Sequence, residues 1–298
     1  MANAGRVAAL ASFMLLGGLA GCAPLTAAAH TPTAVVRRAV RIQPYAITPT
    51  PAGTLAATAP LPNGELWVVA GSAASKGLFA VNLARHATVH SVSVSNQADA
   101  VVLAGGGLLA LAESTPTSGA IAIVNPSTGA VAATVALGGP VYALAAGSGA
   151  SVYALVAANA SRSVVAVNTR TDAVTGSAPA PRDAVAVAPT PSGRHVYVLE
   201  PNGLVSEISM ADGRIVAQFP VGHSGRALAL SPGGSQLYVL KGQGGVRNVA
   251  VVNTATEAVT RALPAASHAI ALILSPDGRT LYDVVGASGY GNLQAFHV

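Results

Sequence analysis

Residues 227–263 read ALALSPGGSQLYVLKGQGGVRNVAVVNTATEAVTRAL. Four short apolar runs stand in this stretch, at 227–230, 237–240, 249–253 and 258–263. Each has the length of a strand, and none shows the 3.6-residue spacing of an amphipathic helix. Between the first two runs lies Ser231-Pro232-Gly233-Gly234, with proline at the second position of a turn and glycine after it. Between the last two lies Asn253-Thr254-Ala255-Thr256, whose side chains can bond their own turn backbone. The stretch therefore reads as four antiparallel strands joined by tight turns.

The same unit recurs along the chain. Its second run appears as Leu66-Trp67-Val68, Leu108-Leu109-Ala110, Val152-Tyr153-Ala154, Val196-Tyr197-Val198, Leu237-Tyr238-Val239 and Leu281-Tyr282-Asp283, at steps of 41 to 44 residues. A second anchor keeps the same period: Val81-Asn82, Val124-Asn125, Val167-Asn168, Ile208-Ser209 and Val252-Asn253. Four strands repeating at this interval are the sequence signature of a β-propeller blade. The fold class is all-β, and six anchors predict six four-stranded blades. Seven is the alternative if residues 34–60 supply further strands. The last unit stops at Phe296-His297-Val298, inside its third strand, while a strand-like segment at 35–42 is left over. Pairing that N-terminal strand into the last blade closes the ring and removes open sheet edges. In the first strands, Ala143/Ala145, Ala184/Ala186, Ala227/Ala229 and Ala269/Ala271 keep side chains small where wedges crowd towards the axis.

The Ser231-Pro232 unit, its partner Ser275-Pro276-Asp277-Gly278-Arg279-Thr280-Leu281-Tyr282 and the lead-in Pro220-Val221-Gly222 resemble the bacterial YVTN-type repeat, also described as surface-layer-like or lactonase-like. The resemblance covers about 54–298. The literal tetrad is replaced by Tyr197-Val198-Leu199-Glu200 and Tyr238-Val239-Leu240-Lys241. It implies an extracytoplasmic binding or scaffold role.

The N-terminus reads as an address. Residues 7–20 are apolar after Arg6, too short a stretch to span a membrane and suited to a signal segment. The stretch ends in Leu19-Ala20-Gly21-Cys22, which resembles the lipobox of bacterial lipoproteins. That resemblance implies cleavage before Cys22 and a lipid on its sulfur, the lipidation site. Three regions follow: a signal peptide at 1–21, an Ala/Thr/Pro-rich tether at 22–33, and the propeller at 34–298. The expected location is the cell membrane or envelope, outside the cytoplasm. Cys22 is the only cysteine, so no disulfide forms.

Composition narrows the chemistry. Charged residues are 9% and hydrophobic ones 51%, which excludes bulk disorder. The net charge of +5 is scattered, and its tightest group, Arg37, Arg38 and Arg41, is too small for a nucleic-acid stripe. His86 and His90 stand four apart but on strand and turn, so no metal site is read, and no cofactor. Topology is more informative. The starts of first strands and the ends of second strands share one mouth of the ring. Asp99, Asp183, Arg226 and His268 precede first strands there, while Glu113, Glu200 and Lys241 end second strands. These seven form the candidate binding surface, and Glu200 is expected to face Lys241 across adjacent blades. The partners expected are the membrane, through the lipid, and an envelope protein or small ligand, with no nucleic acid. The function expected is a non-enzymatic binding or scaffold module, with a lactonase-like hydrolase as the alternative.

Overall fold

The computed structural model describes residues 46–50, 54–72, 74–158, 161–243, 246–287 and 290–298. The signal peptide, Cys22, the tether and the 35–42 segment lie outside the described residues. The rest forms six four-stranded antiparallel sheets, the blades of a β-propeller. The leading strand is β1 (Ala46–Thr50). Blade 1 is β2 (Thr54–Ala57), β3 (Glu65–Ser72), β4 (Ser75–Asn82) and β5 (Ala87–Val94). Blade 2 is β6 (Ala98–Leu103), β7 (Leu109–Ser114), β8 (Gly119–Val124) and β9 (Val131–Ala136). Blade 3 is β10 (Val141–Ala146), β11 (Ser151–Ala158), β12 (Ser161–Asn168) and β13 (Ala173–Ala180). Blade 4 is β14 (Ala186–Pro189), β15 (His195–Leu199), β16 (Leu204–Ser209) and β17 (Ile215–Pro220). Blade 5 is β18 (Gly225–Leu230), β19 (Gln236–Lys241), β20 (Asn248–Asn253) and β21 (Ala258–Pro264). Blade 6 takes β22 (Ala269–Leu274), β23 (Thr280–Ala287) and β24 (Tyr290–His297) from the C-terminus and β1 from the other end.

The turns form for the reasons the sequence suggests. Where the first strand turns into the second, a hydroxyl accepts the N–H of the returning strand: Ser231 from Gln236 (3.0 Å), Ser275 from Thr280 (2.9 Å) and Thr190 from His195 (3.2 Å). Where the third strand turns into the fourth, an asparagine carbonyl takes turn N–H groups. Asn82, Asn125, Asn168 and Asn253 bond Arg85, Ser127, Arg170 and Ala255, each at 2.9 Å. These side-chain bonds replace missing ladder bonds and fix where each strand stops.

The closing strand differs from the expectation. The strand that pairs with β24 is β1, in register Ala46↔Ala295 through Thr50↔Gly291. Its sequence, Ala-Ile-Thr-Pro-Thr, reads as a Pro/Thr connector because proline is depleted in strands. As the outermost strand of blade 6 it can carry Pro49, since an edge strand tolerates a missing N–H.

Six apolar clusters hold the ring, one in each seam between neighbouring blades. Second-strand residues alternate between the two seams. Tyr153 and Leu155 pack with Val196 and Val198 of blade 4, whereas Val152 and Ala154 pack with Ile121 and Ile123 of blade 2. The last seam joins Tyr282, Val284 and Leu293 of blade 6 to Leu66, Val68 and Val81 of blade 1. The circle therefore closes through side chains as well as through β1. Each fully buried Leu or Val contributes roughly 1.5–3 kcal/mol.

One seam contains a buried carboxyl. At the register position of Asp283 the other second strands carry Val68, Leu111, Ala154, Val198 and Val239, all fully buried. Asp283 is equally buried, and its neighbours Leu281 and Val285 pack in the blade 5–6 seam. Its Oδ2 accepts the Ala266 N–H at 2.6 Å, while Oδ1 has no hydrogen-bond partner. Burial pushes this carboxyl up to about 7, against 3.8 for the ordinary group, and the Ala266 bond opposes the shift. The folded protein keeps a proton there that an unfolded chain releases near pH 4. Folding thus takes up a proton between about pH 4 and 7, and stability falls as pH rises through that window. We expect Tm to decline over it, by the equivalent of roughly 4 kcal/mol at most. Asp283→Asn should flatten that part of the profile. A Tm profile unchanged by the substitution would count against this account.

Candidate functional site

A repeated backbone irregularity builds the mouth of the propeller. In five blades the register between first and second strands slips by one residue near the start of the inner strand. The residues skipped are Leu55, Asp99, Tyr142, Arg226 and Ile270. In blade 4 the equivalent residue is Val185, whose N–H bonds the Leu199 carbonyl at 2.7 Å just before β14. A bulge re-aims a side chain and ends regular pairing. Here it repeats around the axis and forms a collar that lines the channel entrance. In ring order the collar is Leu55, Asp99, Tyr142, Val185, Arg226 and Ile270, so Asp99 in blade 2 and Arg226 in blade 5 belong to opposite blades.

One residue further in, every blade has alanine: Ala56, Ala100, Ala143, Ala186, Ala227 and Ala271. Small side chains let the inner strands approach and keep the channel open. Below them the wall is mostly apolar, with Val101, Leu144, Val187, Leu228 and Leu272. The channel has a volume of about 430 Å³. Among the described residues, Asp99 and Arg226 are the only charged ones in its lining.

The structure places all seven sequence-read residues on the mouth face. Asp99 and Arg226 lie just inside β6 and β18; Asp183 and His268 lie in the turns before β14 and β22. Glu113 is half-buried in β7, Glu200 directly follows β15, and Lys241 ends β19. His268 adopts the left-handed region (φ 63°), as does Ser224 (φ 61°) at the equivalent place one blade earlier. Both hold the tight entry into an inner strand.

The seven do not form one cluster. Asp99 pairs with Lys76 at 2.5 Å, which the sequence reading did not single out. Asp183 and Glu200 form an acidic spot on blade 4: burial pushes the Glu200 carboxyl up, and the charge of Asp183 adds to the shift. The expected Glu200–Lys241 pairing does not form. The Lys241 ammonium reaches across to the Val221 carbonyl instead, at 2.5 Å. Arg226 donates from Nε to the Gly242 carbonyl (3.3 Å). Beside it stands Arg247, whose guanidinium is drawn below its usual value by burial and then by the charge of Arg226. Arg247 donates to the Val246 carbonyl (3.3 Å), and its Nε is buried with no hydrogen-bond partner. Tyr142 is half-exposed and carries the Arg162 guanidinium over its ring, 3.8 Å from the centroid.

Four of these residues, Lys76, Tyr142, Arg162 and Arg247, escaped the sequence reading. For Tyr142 a signal was available, because it precedes the inner-strand alanine as Asp99 and Arg226 do. Among the described residues no group of three or more His, Cys, Asp or Glu could hold a metal ion. A His–carboxylate ion pair, His195–Glu207 at 2.6 Å, starts from the opposite end of blade 4. It sits beside Tyr197, whose hydroxyl is pushed up to about 12 by burial first and then by Glu207.

No protein-family profile matches the chain, and no curated protein matches it in sequence. Solved structures do match in shape. A chain of the Kuenenia stuttgartiensis hydrazine synthase aligns with a TM-score of 0.63 at 16% identity, covering 82% of this chain and 83% of that one. A chain of a mitotic checkpoint complex aligns with a TM-score of 0.60 at 15% identity, covering 82% and 74%. At such identity the likeness is one of fold: a β-propeller.

Collar and alanine ring should respond oppositely to substitution. Asp99→Ala and Arg226→Ala remove half-open side chains, and urea unfolding is expected to show a loss below about 1 kcal/mol for each. Ala227→Leu adds bulk at the crowded ring and is expected to cost about 1–3 kcal/mol. The reverse order would mean that the collar, not the ring, holds the blades apart.

Proposed function

We propose that this chain is a lipid-anchored, extracytoplasmic β-propeller acting as a non-enzymatic binding or scaffold module of the cell envelope. The supporting observation is the collar. A bulge repeated in five blades holds one Asp, one Arg, one Tyr and two aliphatic side chains, and Val185 takes the equivalent place in blade 4, over a ring of alanines. Unlike side chains fixed on a rigid frame around a concave opening are what ligand or partner recognition needs. The Ser-Pro-Gly turns and Val-Asn turns support a place among YVTN-type repeats, and Leu19-Ala20-Gly21-Cys22 supports a lipid on Cys22. A lipid carrying more than one acyl chain, joined to one sulfur, holds a protein to a bilayer without a spanning helix. The hydrolase alternative has no comparable observation behind it, since the His195–Glu207 pair starts from the end of blade 4 away from the mouth.

Two measurements test this reading. In a host that processes lipoproteins, the chain is expected in the membrane fraction with added acyl mass on Cys22, and Cys22→Ala is expected in the soluble fraction. Equal partition of the two would remove the anchor. Replacing Asp183, Arg226 and His268 together by Ala is expected to leave Tm within a few degrees and to abolish crosslinking of the envelope partner. A large drop in Tm with crosslinking intact would make these residues scaffold.

A further inference from the structure

We infer that the mouth takes a small organic anion, a carboxylate or phosphate head on an apolar body, with the head on the rim of blade 5 and the body in the channel. The inference rests on the reading of the mouth as a binding surface and names the ligand class of that surface.

Blade 5 brings three cations to its rim. Arg226, Lys241 and Arg247 direct hydrogen bonds at the carbonyls of Gly242, Val221 and Val246. A carbonyl satisfies a donor without cancelling its charge. Among the described residues no ion pair joins any of the three to a carboxylate. Arg247 also keeps its buried Nε without a partner. Like charges held close repel, and an anion bridging them removes the repulsion. Guanidinium suits carboxylate and phosphate because its N–H fork matches two oxygens at once. The other collar charge is already cancelled, since Asp99 bonds Lys76.

The body of the ligand follows from the neighbours of Arg226. Its flanking collar residues are Val185 and Ile270, and Ala227 and Leu228 lie beneath it in the channel wall. The channel, at about 430 Å³, is at the small end of the roughly 300–1,000 Å³ range of ligand pockets. One ring or a short chain fits such a space. The acidic pair Asp183 and Glu200 on the adjoining rim of blade 4 repels further negative charge, so a compact anion is favoured over a polyanion.

Calorimetric titration of the full chain in detergent tests this. Benzoate and phenyl phosphate serve as anionic probes, benzylamine and benzyl alcohol as matched cationic and neutral ones, and inorganic phosphate as a head without a body. At least one anionic probe is expected to bind saturably at one site, with benzylamine and benzyl alcohol at least tenfold weaker. The stronger of the two anionic probes identifies the head. Arg226→Gln is expected to weaken binding at least tenfold and Arg247→Gln several-fold, whereas Arg170→Gln, in a turn at the opposite end of the ring, leaves it unchanged. Adding salt should weaken it further. Inorganic phosphate binding as tightly as phenyl phosphate would overturn the channel as the seat of the body. Saturable binding of neither anionic probe, or binding indifferent to Arg226→Gln, would overturn the ligand class. If crosslinking of the envelope partner still disappears in the Asp183, Arg226 and His268 variant, only the ligand class falls. If crosslinking persists too, the binding surface falls with it.

Discussion

Every blade must bury both of its faces, and a ring is the arrangement that allows this without a first or last member. The six apolar seams express that constraint. Alternation along each second strand sends successive side chains to opposite neighbours, so a single strand serves two seams. The requirement reaches the axis as a demand for small residues, met by alanine in all six blades. It leaves little freedom inside the sheets. Variation is pushed to positions the seams do not use.

The bulge creates such positions. Because the same slip recurs in five blades, residues of unlike chemistry occupy one place relative to the frame. Packing and surface chemistry are thereby separated: the alanine carries the packing, and the preceding residue carries the character of the mouth. Asp283, by contrast, is a charged-type residue that lies within a seam. It gives up apolar contact to hold the segment that leads to His268, through the Ala266 N–H.

The blades were legible because local chemistry and period agree. Ser231, Ser275, Asn125, Asn168 and Asn253 form side-chain bonds that short-range sequence dictates, and these bonds set the strand ends. The closing strand was not legible at its place. Ala46–Thr50 has no apolar alternation and contains Pro49, and only its partner β24 makes it a strand. The mouth was legible as a face, since topology alone puts Asp99, Asp183, Glu200 and Arg226 on it. Pairings within the face were not. Lys241 choosing the Val221 carbonyl over Glu200, and Lys76 reaching Asp99 from blade 1, depend on distances between blades that no spacing in the sequence encodes.

The join between β1 and β24 also has a mechanical side. β1 is a strand of five residues paired along its length to β24. A pull applied at Ala46 is felt first by the bonds to the far end of the chain. The tension is thus borne by the clasp of the ring before it reaches any blade made of consecutive strands. Pulled at that strand, the propeller would yield by opening at its own fastening, with blades 1 to 5 still folded.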